Sequence, residues 1–190
     1  MTQIDTARPL RADARRNREK VIEAARAVFA EDGLDAQMDD VARRAGVGVG
    51  TLYRHYPTKD ALVQAMVADH FERMAERGRA ALEEDGDPWE AFAGFLRWCG
   101  EHQMHDRALG EVVAGQPQAT FDDAVRGCGL QACGAELLER ARAAGAVRDG
   151  VTIDDVPVVM CGLGAVRGSR GPEAGRRYLE LMLDGMRAPR

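Results

Sequence analysis

The chain has 190 residues, a formal net charge of −5, and 45% hydrophobic and 30% charged residues, which is the composition of a globular protein with one domain or two small ones. It contains no apolar run long enough to span a bilayer, and its Arg-rich N-terminus lacks the apolar core of a secretory signal, so we expect a cytoplasmic protein without a membrane partner. The four cysteines have no zinc-type spacing, so we expect reduced thiols, no metal and no other cofactor.

Positive charge is concentrated near the N-terminus. Residues 1–66 contain 11 Lys and Arg against 10 Asp and Glu, whereas residues 67–190 contain 15 against 21. Within the first part, residues 8–20 contain six basic residues against two acidic ones. Because the helix dipole favours acidic residues in a first turn, a basic cluster there predicts contacts with phosphates. The alternative is a solvated helix start.

Residues 37–56 have the pattern of two short helices joined by a glycine turn. Asp39 and Asp40 suit the positive end of the first helix, and Gly46 suits the left-handed conformation that ends it. Gly48 is a tolerable N-cap for the second helix. The pattern predicts a helix-turn-helix motif.

The second helix of this motif presents polar and aromatic side chains that suit DNA rather than catalysis. Leu52 is expected to point back toward the first helix, which leaves Thr51, Tyr53 and their neighbours facing outward or along the edges. Thr51 is the predicted base contact, because it lies near the N-terminus of the helix, where base edges are read. Pro57 ends this helix, and Thr58 is expected to cap the next one.

These residues resemble the DNA-binding domain of the tetracycline-repressor (TetR) family of transcriptional regulators. Residues 50–62, GTLYRHYPTKDAL, are close to the family's core signature, and residues 21–33 are similar to its first helix; the strong resemblance covers residues 17–74. In the family, the lysine at the position of Lys59 contacts a phosphate. The predicted DNA-binding residues are Arg15, Arg16, Arg18, Gln37, Met38, Gly48, Val49, Thr51, Tyr53, His55, Tyr56 and Lys59.

The sequence departs from the family pattern at two positions. Gln37 stands where the family usually has a threonine, and glutamine is a poorer cap, at a cost of about 1 kcal/mol. Gln37 would instead be able to pair with an adenine edge or a phosphate. Val49 stands where many relatives carry a polar or basic residue, which removes one base or phosphate contact. The operator preference of relatives therefore does not transfer to this chain.

The rest of the chain predicts helices, because no stretch alternates apolar and polar residues for long enough to be a strand. We expect an all-α fold of about nine helices, with a three-helix DNA-binding domain at residues 13–60 and a helical ligand-binding and dimerisation domain at residues 61–187. The helices predicted after the motif cover residues 59–82, 89–99, 118–144, 153–167 and 172–186, with a break or the start of a short helix at 100–105.

The last two predicted helices are too apolar to be buried on one side alone, and their small residues would allow close helix packing. In TetR-like proteins these helices pair with their symmetry mates in a four-helix bundle, so the resemblance implies a homodimer and a palindromic operator. The alternative is that these residues cover the chain's own core. The predicted interface residues are Val158, Gly162, Ala165, Val166, Tyr178, Leu181, Met182 and Met186.

Aromatic and sulfur-containing residues of the second domain would line an apolar pocket for a small-molecule effector. The alternative is that they form an ordinary core. Two of them, His102 and His105, are three residues apart and would share a helix face as metal ligands do, but surface or pocket histidines are the favoured interpretation. The predicted ligand-binding residues are Phe71, Phe92, Phe95, Leu96, Cys99, His102, Met104, His105, Phe121, Val125 and Cys128.

The predicted function is a transcriptional regulator, with repression assumed from the family's usual mode. It would bind double-stranded DNA as a homodimer, and an effector would release it by shifting the fourth helix. One alternative is a DNA-binding regulator without an effector. Another is an enzyme on a helical scaffold, which finds no support because the sequence has no catalytic triad order, phosphate loop, paired carboxylates or metal set.

Overall fold

The computed structural model describes residues 7–105, 124, 125 and 127–189. Within these ranges the chain is helical, and its one β-type contact is an isolated bridge between Val147 and Arg187. The predicted all-α fold is confirmed. None of the described helices is long and apolar enough to cross a membrane. The helices are α1 (Ala7–Asp32), α2 (Met38–Ala45), α3 (Val49–His55), α4 (Lys59–Glu83), α5 (Pro88–His105), α6 (Leu130–Ala143), α7 (Asp155–Arg170) and α8 (Pro172–Met186).

The first four helices share an N-terminal core. Its fully buried side chains include Ile22 of α1, Val41 of α2, Leu52 of α3 and Leu62 of α4. Each such side chain removed from water contributes about 1.5–3 kcal/mol, so α2 and α3, which are too short to be stable alone, are held by this packing. The three-helix unit is thereby fixed against the start of α4.

The second half of α4 belongs to a different core, which it shares with α5, α6, α7 and α8. Phe92 and Leu96 of α5, Leu137 of α6 and Leu163 of α7 are all fully buried there. Phe71, near the middle of α4, packs against both cores. One continuous helix therefore joins the two halves of the chain.

The predicted break at residues 100–105 is wrong, because α5 continues to His105. Gly100 is buried where α5 meets α7 and α8, and a Cβ atom built on it would lie 2.8 Å from Leu179 Cδ2 and 3.0 Å from Leu163 Cδ2. The glycine therefore permits close helix packing and does not end the helix.

The long helix predicted at residues 118–144 is also wrong in its described part. Gly129 has a φ of 77°, in the left-handed region, and serves as the N-cap of α6. A continuous helix cannot pass through that conformation, so α6 begins at Leu130. Residues 118–123 lie outside the described residues.

Gly78 brings α4 close to α6, and replacing it with alanine is expected to destabilise the fold. A Cβ atom there would clash with Cys133 Sγ and would lie 3.3 Å from both Cys133 Cβ and Phe95 Cε2. Overpacking of this kind costs about 1–3 kcal/mol, which outweighs the gain of up to about 1 kcal/mol in helix propensity. Urea unfolding would measure the loss.

The matched control is Gly94→Ala in α5, where a Cβ atom would have nothing within 4 Å. This variant is expected to be as stable as the native chain or slightly more stable. In a Cys133→Ala background, Gly78→Ala should cost less, because the clashing sulfur is gone. Equal stability of the Gly78→Ala and Gly94→Ala variants would contradict the packing argument.

Candidate nucleic-acid interface

The turn between α2 and α3 is built by hydrogen bonds that close one helix and open the next. Gly46 has a φ of 69°, and its N–H donates to the carbonyls of Ala42 and Arg43, while the Val47 N–H donates to Ala42 O at 3.0 Å. At the start of α3, the Leu52 N–H donates to Gly48 O at 3.0 Å. The roles predicted for Gly46 and Gly48 are confirmed by this geometry.

The N-terminus of α2 lacks a side-chain cap, as its sequence predicts. Gln37 occupies the cap position with extended backbone, but its Nε2 donates backward to Asp35 O at 2.6 Å. Met38, a predicted DNA contact, has its side chain buried in the N-terminal core. That side chain is therefore not available to DNA, whereas Gln37 is exposed.

The outer surface of α3 is exposed and carries no acidic residue. Val49 and Tyr53, one turn apart, are each 43% exposed, and Leu52 on the inner side is 1% exposed. Arg54 and His55 are also exposed. Arg54 is not among the residues predicted to bind DNA, although its position two residues after the buried Leu52 places it on the outer side of the helix.

Thr51 and Tyr56 lie on the side of α3 that faces α1. With His55 and with Arg18 of α1, they line a groove of about 660 Å³. Thr51 and Tyr56 are half-buried, and Tyr56 packs against the N-terminal core. Burial raises the pKa of the Tyr56 phenol, with Asp69 acting in the same direction and Arg18 against it, so Tyr56 stays a neutral hydrogen-bond donor.

Two further basic elements flank α3. Arg16 and Arg18 of α1 are exposed; the Arg15 side chain is not described. At the start of α4, the predicted cap is confirmed, since the Ala61 N–H donates to Thr58 Oγ1 at 3.1 Å. Lys59 follows this cap, and its Nζ lies 5.3 Å from the centroid of the buried Phe29 ring. The contact joins the start of α4 to α1.

Both halves of the chain match models of known families. Residues 21–66 match the model of bacterial regulatory proteins of the tetR family, and residues 87–188 match the model of the SbtR-like C-terminal domain of transcriptional regulators. The chain belongs to the TetR family of transcriptional regulators. The sequence resemblance to that family is confirmed.

Solved TetR structures are similar over nearly the whole chain. A TetR regulator from Mycobacterium vanbaalenii is 36% identical with a TM-score of 0.70, and the similarity covers 95% of this chain and 100% of that one. A TetR regulator from Streptomyces coelicolor is 30% identical with a TM-score of 0.70, covering 91% of this chain and 99% of that one.

Curated relatives match over part of the chain. The transcriptional repressor KstR of Mycolicibacterium smegmatis is 42% identical over 78 residues, which are 40% of this chain and 38% of that protein. The chain thus matches less than half the length of this relative.

The second core of this TetR-family chain contains four of the predicted ligand-binding residues: Phe92, Phe95, Leu96 and Cys99 are all buried there. Their burial favours the alternative that these four residues form an ordinary core rather than line a pocket. Burial also raises the pKa of the Cys99 thiol, which therefore stays protonated. The other predicted ligand-binding residues that are described, Phe71, His102, Val125 and Cys128, are half-buried. Phe121 and the side chains of Met104 and His105 lie outside the described part of the chain.

A partly buried polar junction lies where α1, α4 and α5 meet. Arg26 of α1 and Arg73 of α4 both donate to Asp69 Oδ2, at 3.1 Å and 2.9 Å. The next residue, His70, is buried and stacks on His102 of α5 with 5.0 Å between ring centroids. Trp98 stacks on the same His102 ring at 4.9 Å.

His70 is not among the site residues predicted from the sequence. The sequence feature that points to His70 is a single polar residue on the buried side of α4, between Val67 and Met74, which are both buried. Such a histidine is visible in the helix periodicity, but the partner ring on α5 is not.

The predicted interface residues of α7 and α8 differ in exposure. Val158 is 70% exposed and Leu181 is 54% exposed, which is unusual for large apolar side chains. Ala165 is also exposed, whereas Met186 is buried in the chain's own core and is not available to a partner. The remaining predicted interface residues, Gly162, Val166, Tyr178 and Met182, are half-buried.

Proposed function

We propose that this TetR-family chain is a transcriptional repressor that binds a palindromic operator as a homodimer and is released by a small-molecule effector. The observation that carries the proposal is the outer surface of α3, where Val49, Tyr53, Arg54 and His55 are exposed. A short helix of this kind enters the major groove, while basic groups on its flanks hold the phosphates. The similarity to the repressor KstR supports repression as the mode of action.

We propose two domains that meet near residue 60: residues 13–60 bind DNA, and residues 61–187 bind the effector and form the dimer. The exposed Val158 and Leu181 favour α7 and α8 as the dimer interface, because apolar side chains of this size gain free energy when a second copy covers them. Two-fold symmetry would then place the two copies of α3 about 34–36 Å apart, in successive major grooves.

The proposed role is regulatory rather than enzymatic, and it places the protein in the cytoplasm, with bacterial DNA. The similar proteins named above are transcriptional regulators, which supports this choice. Among the cysteines, Cys99 is a poor nucleophile, because burial raises its pKa and favours the thiol.

A second candidate is a DNA-binding regulator without an effector. One observation favours it: the aromatic side chains of α5 that would line a pocket, Phe92 and Phe95, are packed in the second core. An effector that enters between α4 and α5 must separate these side chains, and it shifts the protein toward release only if it binds the released state more tightly.

The proposal is tested by selecting binding sites from random duplex DNA with the purified protein, and then measuring mobility shifts with an excess of nonspecific competitor. A two-fold symmetric consensus bound in a salt-sensitive complex is the expected result. If no sequence is enriched over the starting pool, the proposed function is wrong. Effector candidates are then screened as compounds that dissociate this complex.

Replacing Lys59 with alanine is expected to weaken operator binding by a similar factor for all operator sequences. Each homodimer would lose two phosphate contacts, one per subunit, so the slope of log K against log salt concentration should also become shallower by about 2. Lys59→Arg keeps the charge and the contact with the Phe29 ring, so it should retain the slope. Mobility shifts at several salt concentrations measure both quantities.

Thermal unfolding of both Lys59 variants is the control, because the Phe29 contact also joins α1 to α4. A Lys59→Ala protein that folds normally and keeps the native salt slope would exclude a phosphate contact at this position.

A further inference from the structure

Val49 is an exposed apolar residue that contributes neither to the packing of the core nor to the stability of its helix. It is the first residue of α3 and is 43% exposed, and it lies outside the N-terminal core, which takes Leu52 from the same helix. Valine is also a weak helix former, because its branched side chain loses rotamer freedom in a helix. Neither packing nor helix stability accounts for a valine here.

The residues on both sides of Val49 are glycines whose presence the fold does not require. Gly48 has a φ of −65°, and Gly50 is not among the glycines with a positive φ. A Cβ atom on Gly50 would meet nothing within 4 Å, and one on Gly48 would meet Thr51 Oγ1 at an ordinary 3.7 Å. Gly50 lies inside the helix, where a glycine costs up to about 1 kcal/mol, and Gly48 at the N-cap is a weaker cap than serine or asparagine, so another reason for the bare backbone is needed.

Close approach of a second surface supplies that reason. Without side chains on Gly48 and Gly50, the Val49 isopropyl group projects from the first turn of α3, and a partner can come near the backbone on both sides of it. In a helix-turn-helix, the first turn of the second helix is the part that meets base edges in the major groove.

The chemistry of valine limits what it can read there. Its side chain has no donor and no acceptor, so it cannot pair with the polar edges of guanine, adenine or cytosine. The apolar group that an unmodified base pair exposes in the major groove is the C5-methyl of thymine. Resting on the proposed function, we propose that Val49 determines operator specificity by packing against a thymine methyl group in each half-site.

The test is a series of operator duplexes in which each thymine is replaced, one position at a time, by deoxyuridine. This change deletes the methyl group and leaves base pairing intact. At one thymine in each half-site, the native protein should bind about fourfold more weakly, as expected for one buried methyl group. Val49→Ala should bind the unmodified operator more weakly and should lose sensitivity to uracil at that same position.

Thymines outside the bound site, replaced in the same way, are the DNA control, and thermal unfolding of Val49→Ala is the protein control. Equal sensitivity of both proteins to every uracil would overturn the inference while leaving the proposed function intact. A native protein whose affinity is unchanged by every uracil substitution would also overturn the inference and leave the proposed function intact. If site selection yields no operator, the proposed function fails, and this inference fails with it.

Methylation of cytosine gives an independent readout. At the thymine position identified in this way, a cytosine operator and its 5-methylcytosine counterpart differ by the same single methyl group. The native protein should prefer the methylated duplex by about fourfold, and Val49→Ala should not distinguish the two. A native protein that binds both equally would contradict a methyl contact.

Discussion

Replacing Leu181 with arginine is expected to split the proposed homodimer and to reduce operator affinity by about 100-fold or more. Leu181 is 54% exposed on α8, so the charge is tolerated in the monomer but is buried when a second copy packs against α7 and α8. A monomer binds only one half-site. In a dimer, binding of the first subunit makes binding of the second effectively intramolecular, which raises the affinity by about 10²- to 10⁴-fold. Analytical ultracentrifugation and mobility shifts would measure both effects.

The matched control for this prediction is Gln131→Arg, which adds the same charge at an exposed position of α6. It should leave the dimer and the operator affinity unchanged. Val158→Asp tests the interface from α7, where that side chain is 70% exposed, and should act like Leu181→Arg. A Leu181→Arg protein that remains dimeric would show that α8 does not form the interface.

Acidification is expected to destabilise the fold through His70. Burial lowers the pKa of His70 from 6.5 to about 3, and His102, Arg26 and Arg73 act in the same direction. The unfolded chain therefore takes up a proton below about pH 6.5, whereas the folded chain does so near pH 3. Stability is complete above pH 6.5 and falls as the pH decreases, by about 2 kcal/mol at pH 5.

Urea unfolding of the native chain and of His70→Phe between pH 7 and pH 4.5 would measure this contribution. Phenylalanine keeps a ring against His102 but does not titrate. On acidification the variant should therefore lose less stability than the native chain, and the difference should be up to about 1.4 kcal/mol per pH unit. His55→Gln, at an exposed histidine, is the matched control and should behave like the native chain. Parallel pH profiles for His70→Phe and the native chain would contradict the prediction.

The sequence predicts local features of the DNA-binding half well, because short-range chemistry determines them. The left-handed end at Gly46, the missing side-chain cap at Gln37 and the cap at Thr58 each depend on residues within four positions along the chain. The inner position of Leu52 follows from helix periodicity. A helix-turn-helix is therefore visible before any tertiary contact is known.

Features that depend on distant contacts are not visible in the same way. A glycine at position 100 is compatible with the end of a helix and equally with close packing against Leu163 and Leu179 of two other helices, and the sequence alone does not distinguish the two roles. The stack of His70 on His102 joins residues of different helices, and the contact of Lys59 with Phe29 joins α4 to α1. Sequence periodicity identifies which side of a helix is buried, but not which neighbour covers it.

The sharing of α4 between the two cores has a consequence for cooperativity. Its first half supplies Leu62 and Met66 to the N-terminal core, and its second half supplies Met74 and Ala81 to the other. If either core melts, half of this helix is left with an exposed apolar side, and the Arg26–Asp69 ion pair is lost as well. Neither half can therefore unfold without a free-energy cost to the other, and the proposed boundary near residue 60 would separate two functions within one cooperative folding unit.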